Sequence, residues 1–207
     1  MTVTNDSVHD LFQSITFICR HFRPYKIQVE PVFEQGRAVA NDFSIKNPDI
    51  FIQQFMKAYS VAKEHGILLF YSGARPDVIG LRFCLAACRA LVVTTDGDIT
   101  TCFESYGREH PLSSHFIIGE YTGNGNFELD YDKLQRCFAH TVLDNPHCKG
   151  CFCKWHCAGD CTIKTLCEEK GCGFKTTERC IINQELSKFL LLQMIRKSKK
   201  PVWVGNR

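Results

Sequence analysis

Cysteine dominates the chemistry available to this sequence: 13 of its 207 residues are cysteine, and twelve of them lie between Cys84 and Cys180. Thiolates are soft donors that suit iron–sulfur clusters and zinc, and short spacings let one turn of backbone present several sulfurs to one site. Cys84 and Cys88 are separated by three residues; Gly97 follows, and Cys102 comes after four intervening residues. The series resumes as Cys148-x2-Cys151-x5-Cys157-x3-Cys161 and finishes at Cys180. Disulfides are the first competing use of these thiols. The polar stretch Met1 to Asp10 has no secretory apolar core; in that context a high cysteine count favours metal ligation, and an odd number leaves a thiol outside any set of pairs. Zinc is the second competitor, because Cys148 and Cys151 with later cysteines would make a tetrahedral site. A zinc ribbon ordinarily closes with a second C-x2-C, and none follows Cys151. Iron–sulfur ligation is therefore the expectation and zinc the alternative. His147 and His156 flank these thiols and read as solvated side chains or as hydrogen-bond partners of ligands.

The elements that must position the thiols divide into two textures. Met1 to Thr4 reads as a strand, with Asn5 and Asp6 as capping candidates for a helix whose apolar face is Val8, Leu11, Phe12, Ile15, Cys19 and Phe22. Pro24 ends that pattern, and Cys19 is expected in the core. Ile27 to Phe33 reads as a second strand leading into a loop around Gly36. Pro48 opens another helix with Phe51, Ile52, Phe55, Met56, Tyr59 and Ala62 on one face and Gly66 as its cap, and Ile67 to Tyr71 forms the next strand. Strands separated by helices of this length predict βαβ units and a parallel sheet, at most part of a barrel. Beyond Pro76 the texture changes: Ala90 to Thr95 and Ile99 to Cys102 flank Asp96-Gly97-Asp98 as a hairpin, with both aspartates read as turn residues. Past Gly123 the chain is expected to be loop-rich, closing in a helix with Ile182, Leu186, Phe189, Leu190 and Met194 as its apolar stripe. The predicted class is α/β, with a barrel segment over 1–75 and a small α+β, cysteine-dense domain with a C-terminal helix over 76–207.

Composition limits the partners. The formal charge of +3, from 25 basic and 22 acidic residues, is near balance and shows no basic stripe interleaved with aromatics, so no nucleic-acid partner is expected. Arg196, Lys197, Lys199 and Lys200 follow an apolar run and read as a solvated helix end. No apolar run reaches the roughly 18 to 20 residues that cross a bilayer, so the expectation is a soluble cytoplasmic protein without a membrane partner.

The full series C-x12-G-x4-C, C-x2-C-x5-C-x3-C and a final C resembles the SPASM domain, the auxiliary-cluster module of radical S-adenosylmethionine (SAM) enzymes that modify peptides and proteins. Residues 84 to 180 match it, including Trp155 and Ala158-Gly159-Asp160 before Cys161. The stretch from Gln28 to Ala38 also resembles a late strand of that family's partial barrel. The resemblance implies two [4Fe–4S] clusters, one held by Cys84, Cys88, Cys102 and Cys161 and the other by Cys148, Cys151, Cys157 and Cys180. Two positions keep alternatives: Cys88 as a packed thiol behind Cys84, and Cys167 or Cys172 as the closing ligand in place of Cys180. Cys137 and Cys153 fall off the family pattern and are expected to be bystanders. Glu30, on the strand that would line the barrel, is a candidate substrate or SAM contact, with a capped loop carboxylate as the plainer reading.

Radical SAM enzymes cleave SAM at a cluster held by a C-x3-C-x2-C loop, and no such loop occurs in these 207 residues. The resemblance therefore implies the C-terminal half of a maturase that does not cleave SAM alone. SAM would be used only with a separate N-terminal half, a peptide or protein as substrate and a ferredoxin or flavodoxin as electron donor. The family's sulfatase-maturing branch carries a carboxylate directly after the cysteine matching Cys102; here Phe103 stands there and Glu104 one position later, which favours the peptide maturases. A stand-alone electron-transfer or scaffold module and a zinc-stabilised binding domain are the competing functional classes.

Overall fold

A computed structural model of the chain describes residues 1–33, 37–87, 89–166, 174 and 176–198. The fold is mixed α/β with small sheets, and no closed barrel forms among the described residues. Two compact units are present, the first made of residues 1–77 and 178–207 and the second of residues 78–177.

The first unit begins with strand β1 (Thr2–Val3), a 3-10 turn at Val8–Asp10, and helix α1 (Leu11–His21). Asn5 and Asp6 do not cap this helix. The Asn5 N–H donates to the Phe43 carbonyl at 2.9 Å and its side chain accepts from the Lys46 N–H at 3.3 Å, so tertiary contacts claim the asparagine. Strands β2 (Lys26–Gln28) and β3 (Glu30–Pro31) form one extended segment interrupted at Val29. After a short helix α2 (Arg37–Ala40) comes helix α3 (Pro48–Glu64), capped by Asn47 accepting from the Asp49 N–H at 3.0 Å, with Pro48 in the first turn. Gly66 ends it with φ +71°, a left-handed conformation that a side chain would strain, and strand β4 (Leu68–Phe70) follows.

β1 pairs with β3 and β2 with β4, both in parallel, so the extended segment lies between its two sequence neighbours. Its inward residues Ile27, Val29 and Pro31 are buried, while Lys26 and Gln28 are exposed on the opposite face together with Thr2 and Leu68. Helix α3 lies between α1 and the C-terminal helix (Arg179–Lys197). The shared core contains Val3, Leu11, Ile15, Cys19, Val29, Phe51, Phe55, Leu69, Ile182 and Leu186. Thus the closing helix, assigned by sequence position to the cysteine-rich domain, is part of the first unit. Met194, expected in its buried stripe, is 48% exposed, and Phe22 at the end of α1 is 69% exposed.

The second unit is built on an antiparallel sheet of β5 (Val92–Val93), β6 (Asp98–Thr100), β7 (Ile117–Gly123) and β8 (Asn126–Leu129), in sequence order. A short helix α4 (Ser113–Phe116) enters β7, and α5 (Tyr131–Ala139) follows β8, capped by Asp130 accepting from the Lys133 N–H at 2.9 Å. Regular structure therefore persists well beyond Gly123. Asp98 is not a turn residue but the first residue of β6. It is buried, and both its oxygens accept from Arg108, at 2.7 to 3.2 Å. Among its described residues, the cysteine-rich segment contributes a 3-10 turn at Pro146–Cys148, helix α6 (Lys154–Cys157) and helix α7 (Thr162–Thr165).

Candidate metal centre

Cysteine carbonyls organise the segment from 145 to 166. Cys148 accepts a turn hydrogen bond from Cys151, Cys151 from Lys154, Cys153 from His156 and Cys157, Cys157 from Asp160, and Cys161 from Lys164 and Thr165. Each reversal satisfies a backbone acceptor at a thiol-bearing residue, which keeps so irregular a chain compatible with burial. Between Cys157 and Cys161 the backbone is left-handed three times in succession: Ala158 at φ +55°, Gly159 at +82° and Asp160 at +62°. The Asp160 side chain accepts from the Cys161 N–H at 2.8 Å and fixes the exit from that reversal.

Two of the thiols assigned to the first ligand set fall in one cluster. Cys102, just beyond β6, and Cys161, at the start of α7, share an apolar cluster with Leu112, Phe116, Ile163 and Leu166. The exposed thiol of Cys84 is close enough to act electrostatically on both. Burial pushes the Cys161 thiol up to about 12, with Asp160 and Glu104 adding to the rise, and burial also raises Cys102. A soft cation would reverse that penalty, since it stabilises the thiolate that burial disfavours. The Lys164 ammonium, 10% exposed, pairs with Glu104 beside these thiols and sets positive charge at a site that gains negative charge on thiol deprotonation. Cys88, the fourth residue of this set, lies outside the described residues, as do Cys167 and Cys172.

The second set is divided. Cys148, Cys151 and Cys157 belong to the second unit, whereas Cys180 lies on the C-terminal helix of the first. Cys153 is 1% exposed, and its Sγ lies 3.5 Å from that of Cys151. Sequence reading missed this proximity, although the C-x-C spacing already held both thiols within two residues. Cys137 is buried in a separate cluster with Ile99 and Ile118 and donates to the His115 carbonyl at 3.1 Å. Among the described residues, no three His, Cys, Asp or Glu side chains converge as the ligand sphere of one ion. A single tetrahedral zinc needs sulfurs about 3.8 Å apart, as its 2.3 Å bonds require, whereas a cubane presents four separate iron corners and spaces its thiolates more widely. All three of Cys84, Cys102 and Cys161 offer thiols, the soft donors that iron–sulfur clusters take.

Glu30 occupies a different polar site, in the first unit. Its carboxylate accepts from the Ser72 N–H at 2.9 Å, the Ser72 hydroxyl at 2.8 Å and Gln28 at 3.0 Å, and pairs with Arg179 at 3.3 Å. Arg179 is 5% exposed, its guanidinium 4.3 Å from the Phe33 ring centre and 5.1 Å from that of Tyr71. The Tyr71 hydroxyl donates to Asn183 at 2.6 Å, so the ends of the parallel strands and the first turns of the C-terminal helix share one network. Arg179 was not singled out from sequence; an arginine in the first turn of a helix, against the helix dipole, was the available signal.

No protein-family model matches this chain, and no curated protein matches it at a significant level. No helix among the described residues is long and apolar enough to cross a membrane.

Proposed function

We propose that this chain is the iron–sulfur-binding C-terminal portion of a radical SAM maturase. It holds two auxiliary [4Fe–4S] clusters in a SPASM-like domain and supports binding of a peptide or protein substrate. The observation that supports this reading is that Cys102 and Cys161, far apart in sequence, share one apolar cluster in the second unit, with Cys84 acting electrostatically on both. The resemblance assigns these residues, with Cys88, to one cluster. Cys148, Cys151, Cys157 and Cys180 are the proposed ligands of the other.

When bound, such clusters supply one-electron redox capacity and, at an exposed iron, an anchoring point for a donor group. The chain's own residues would keep water from Cys102 and Cys161, balance the local charge through Lys164 and hold Cys161 in place through Asp160. The first unit supports the partial-barrel reading. Its parallel strands run in sequence order, with helices on one face, while Lys26, Gln28 and Glu30 point to the other. Parallel sheets are ordinarily covered on both faces, so a separate N-terminal half carrying the C-x3-C-x2-C loop would complete this one and place Glu30 on its lining. SAM and a ferredoxin or flavodoxin would act only through that half.

The test is iron and acid-labile sulfide per chain on anaerobically reconstituted protein. Two cubanes require about eight of each, with a brown chromophore that bleaches on reduction. One zinc without sulfide overturns the proposal in favour of a zinc-stabilised binding domain, a reading favoured by the Cys151–Cys153 spacing of 3.5 Å, close to a zinc tetrahedron's edge. Two clusters without SAM cleavage alongside any candidate N-terminal half would leave an electron-transfer or scaffold module.

A further inference from the structure

We propose that Cys151 and Cys153 form a redox-active dithiol that reacts with low-molecular-weight disulfides such as oxidised glutathione. Their sulfurs are 3.5 Å apart, at the separation from which a bimolecular displacement proceeds with little further approach. Their accessibilities differ in the manner the reaction requires: Cys151 is half-buried and Cys153 is 1% exposed. The Cys151 thiolate attacks one sulfur of oxidised glutathione, forming a mixed disulfide and releasing one glutathione thiolate. The buried Cys153 thiolate then attacks the Cys151 sulfur and expels the second glutathione. The two protein thiols lose two protons and two electrons in all, and one disulfide of glutathione becomes two thiols.

The backbone favours closure. The Cys151 carbonyl accepts from Lys154, and the Cys153 carbonyl from His156 and Cys157, so successive turns hold the two residues in one compact bend. Cys153 has no place in either proposed ligand set, whereas Cys151 belongs to the second. Closing the disulfide therefore withdraws one ligand and makes assembly at that site dependent on reductant. The covalent step itself rests on the geometry of the pair and holds whatever metal the other thiols take.

Cleavage after Lys149 and Lys154 releases Gly150 to Lys154, a peptide whose cysteines are Cys151 and Cys153 alone. The full-length chain, stripped of metal and reduced, is treated with oxidised glutathione, then capped with N-ethylmaleimide in denaturant, where the buried Cys153 is also accessible, and digested. The expected product is this peptide two hydrogens lighter and uncapped, which dithiothreitol followed by fresh N-ethylmaleimide converts to the doubly capped form. In Cys153→Ser the reaction stops at the first step and leaves one glutathionyl group on Cys151. A doubly capped peptide after oxidation, stable glutathionylation of the wild-type peptide, or linkage of either thiol to another peptide overturns the proposal. The wild-type peptide decides the matter even if the variant does not fold, and the iron-to-sulfide ratio of reconstituted protein separately decides the metal reading.

Discussion

Ala158, Gly159 and Asp160 show how much one short reversal is asked to do. A left-handed alanine costs roughly 1 to 2 kcal/mol, an aspartate less because its short side chain bonds locally, and a glycine little. The run persists because neighbours hold it: the Ala158 N–H donates to the Lys154 carbonyl at 2.7 Å, and Asp160 caps Cys161. Asp160→Ala removes the cap and the left-handed preference together and is expected to destabilise the second unit by about 1 to 3 kcal/mol in urea unfolding, with Asp160→Asn much closer to wild type. His115 gives a pH-dependent counterpart. Burial lowers it to about 4, with the positive charges of His140 and Arg136 adding to the effect. Above about pH 6.5 the imidazole is neutral folded or unfolded and contributes no slope. Between about 6.5 and 4 the unfolded chain takes a proton that the folded chain resists, so stability should fall as pH falls and level off near 4. Urea midpoints measured across that range should show the decline, and His115→Gln should flatten it. The long-range cysteine spacing was legible before any fold was known because it is a property of the sequence itself. The nearness of Cys153 to Cys151 was not, because a C-x-C spacing leaves open which way the two side chains turn.

Elements were read well where a single periodicity governs them. The Pro48–Glu64 helix follows from its cap, its proline and its apolar face, and Asn47→Ala should cost it about 1 kcal/mol, measurable as a lowered unfolding midpoint. Reading failed where tertiary partners decide. Asn5 was drawn from a capping role to bonds with Phe43 and Lys46, and Asp98 left the turn for the strand because Arg108 compensates its burial. Arg179 ties the C-terminal helix to the parallel strands through Glu30 and Ser72. Replacing it by alanine leaves Glu30 short of a cationic partner and empties the space between Phe33 and Tyr71, an expected loss of about 3 kcal/mol in denaturant unfolding. Lysine should restore only part of it, because an ammonium cannot stack as a planar guanidinium does.

At the scale of the molecule, the two units depend on different forces. The first has a continuous apolar core, including Val3, Phe55, Leu69 and Leu186, whereas the cysteine-rich part of the second rests on smaller clusters around Cys102 and Cys137. If the chain holds the proposed clusters, their removal is expected to act unevenly. After chelation, hydrogen exchange should accelerate across residues 84–102 and 145–166 while the helices of the first unit keep their protection; uniform loss of protection would contradict this division. A change of texture near residue 75 was visible in the sequence. The destination of the last helix was not, because an amphipathic stripe states that a face will be buried but not against what.

That destination has a consequence during synthesis. Ile182, Leu186 and Leu190 complete a core whose other members emerge from the ribosome first, and the whole of the second unit, residues 78–177, is translated in between. At typical elongation rates this interval is on the order of ten seconds. Throughout it, the apolar surface of α3 that receives the last helix lacks its cover, an interval in which exposed apolar surface favours aggregation over folding.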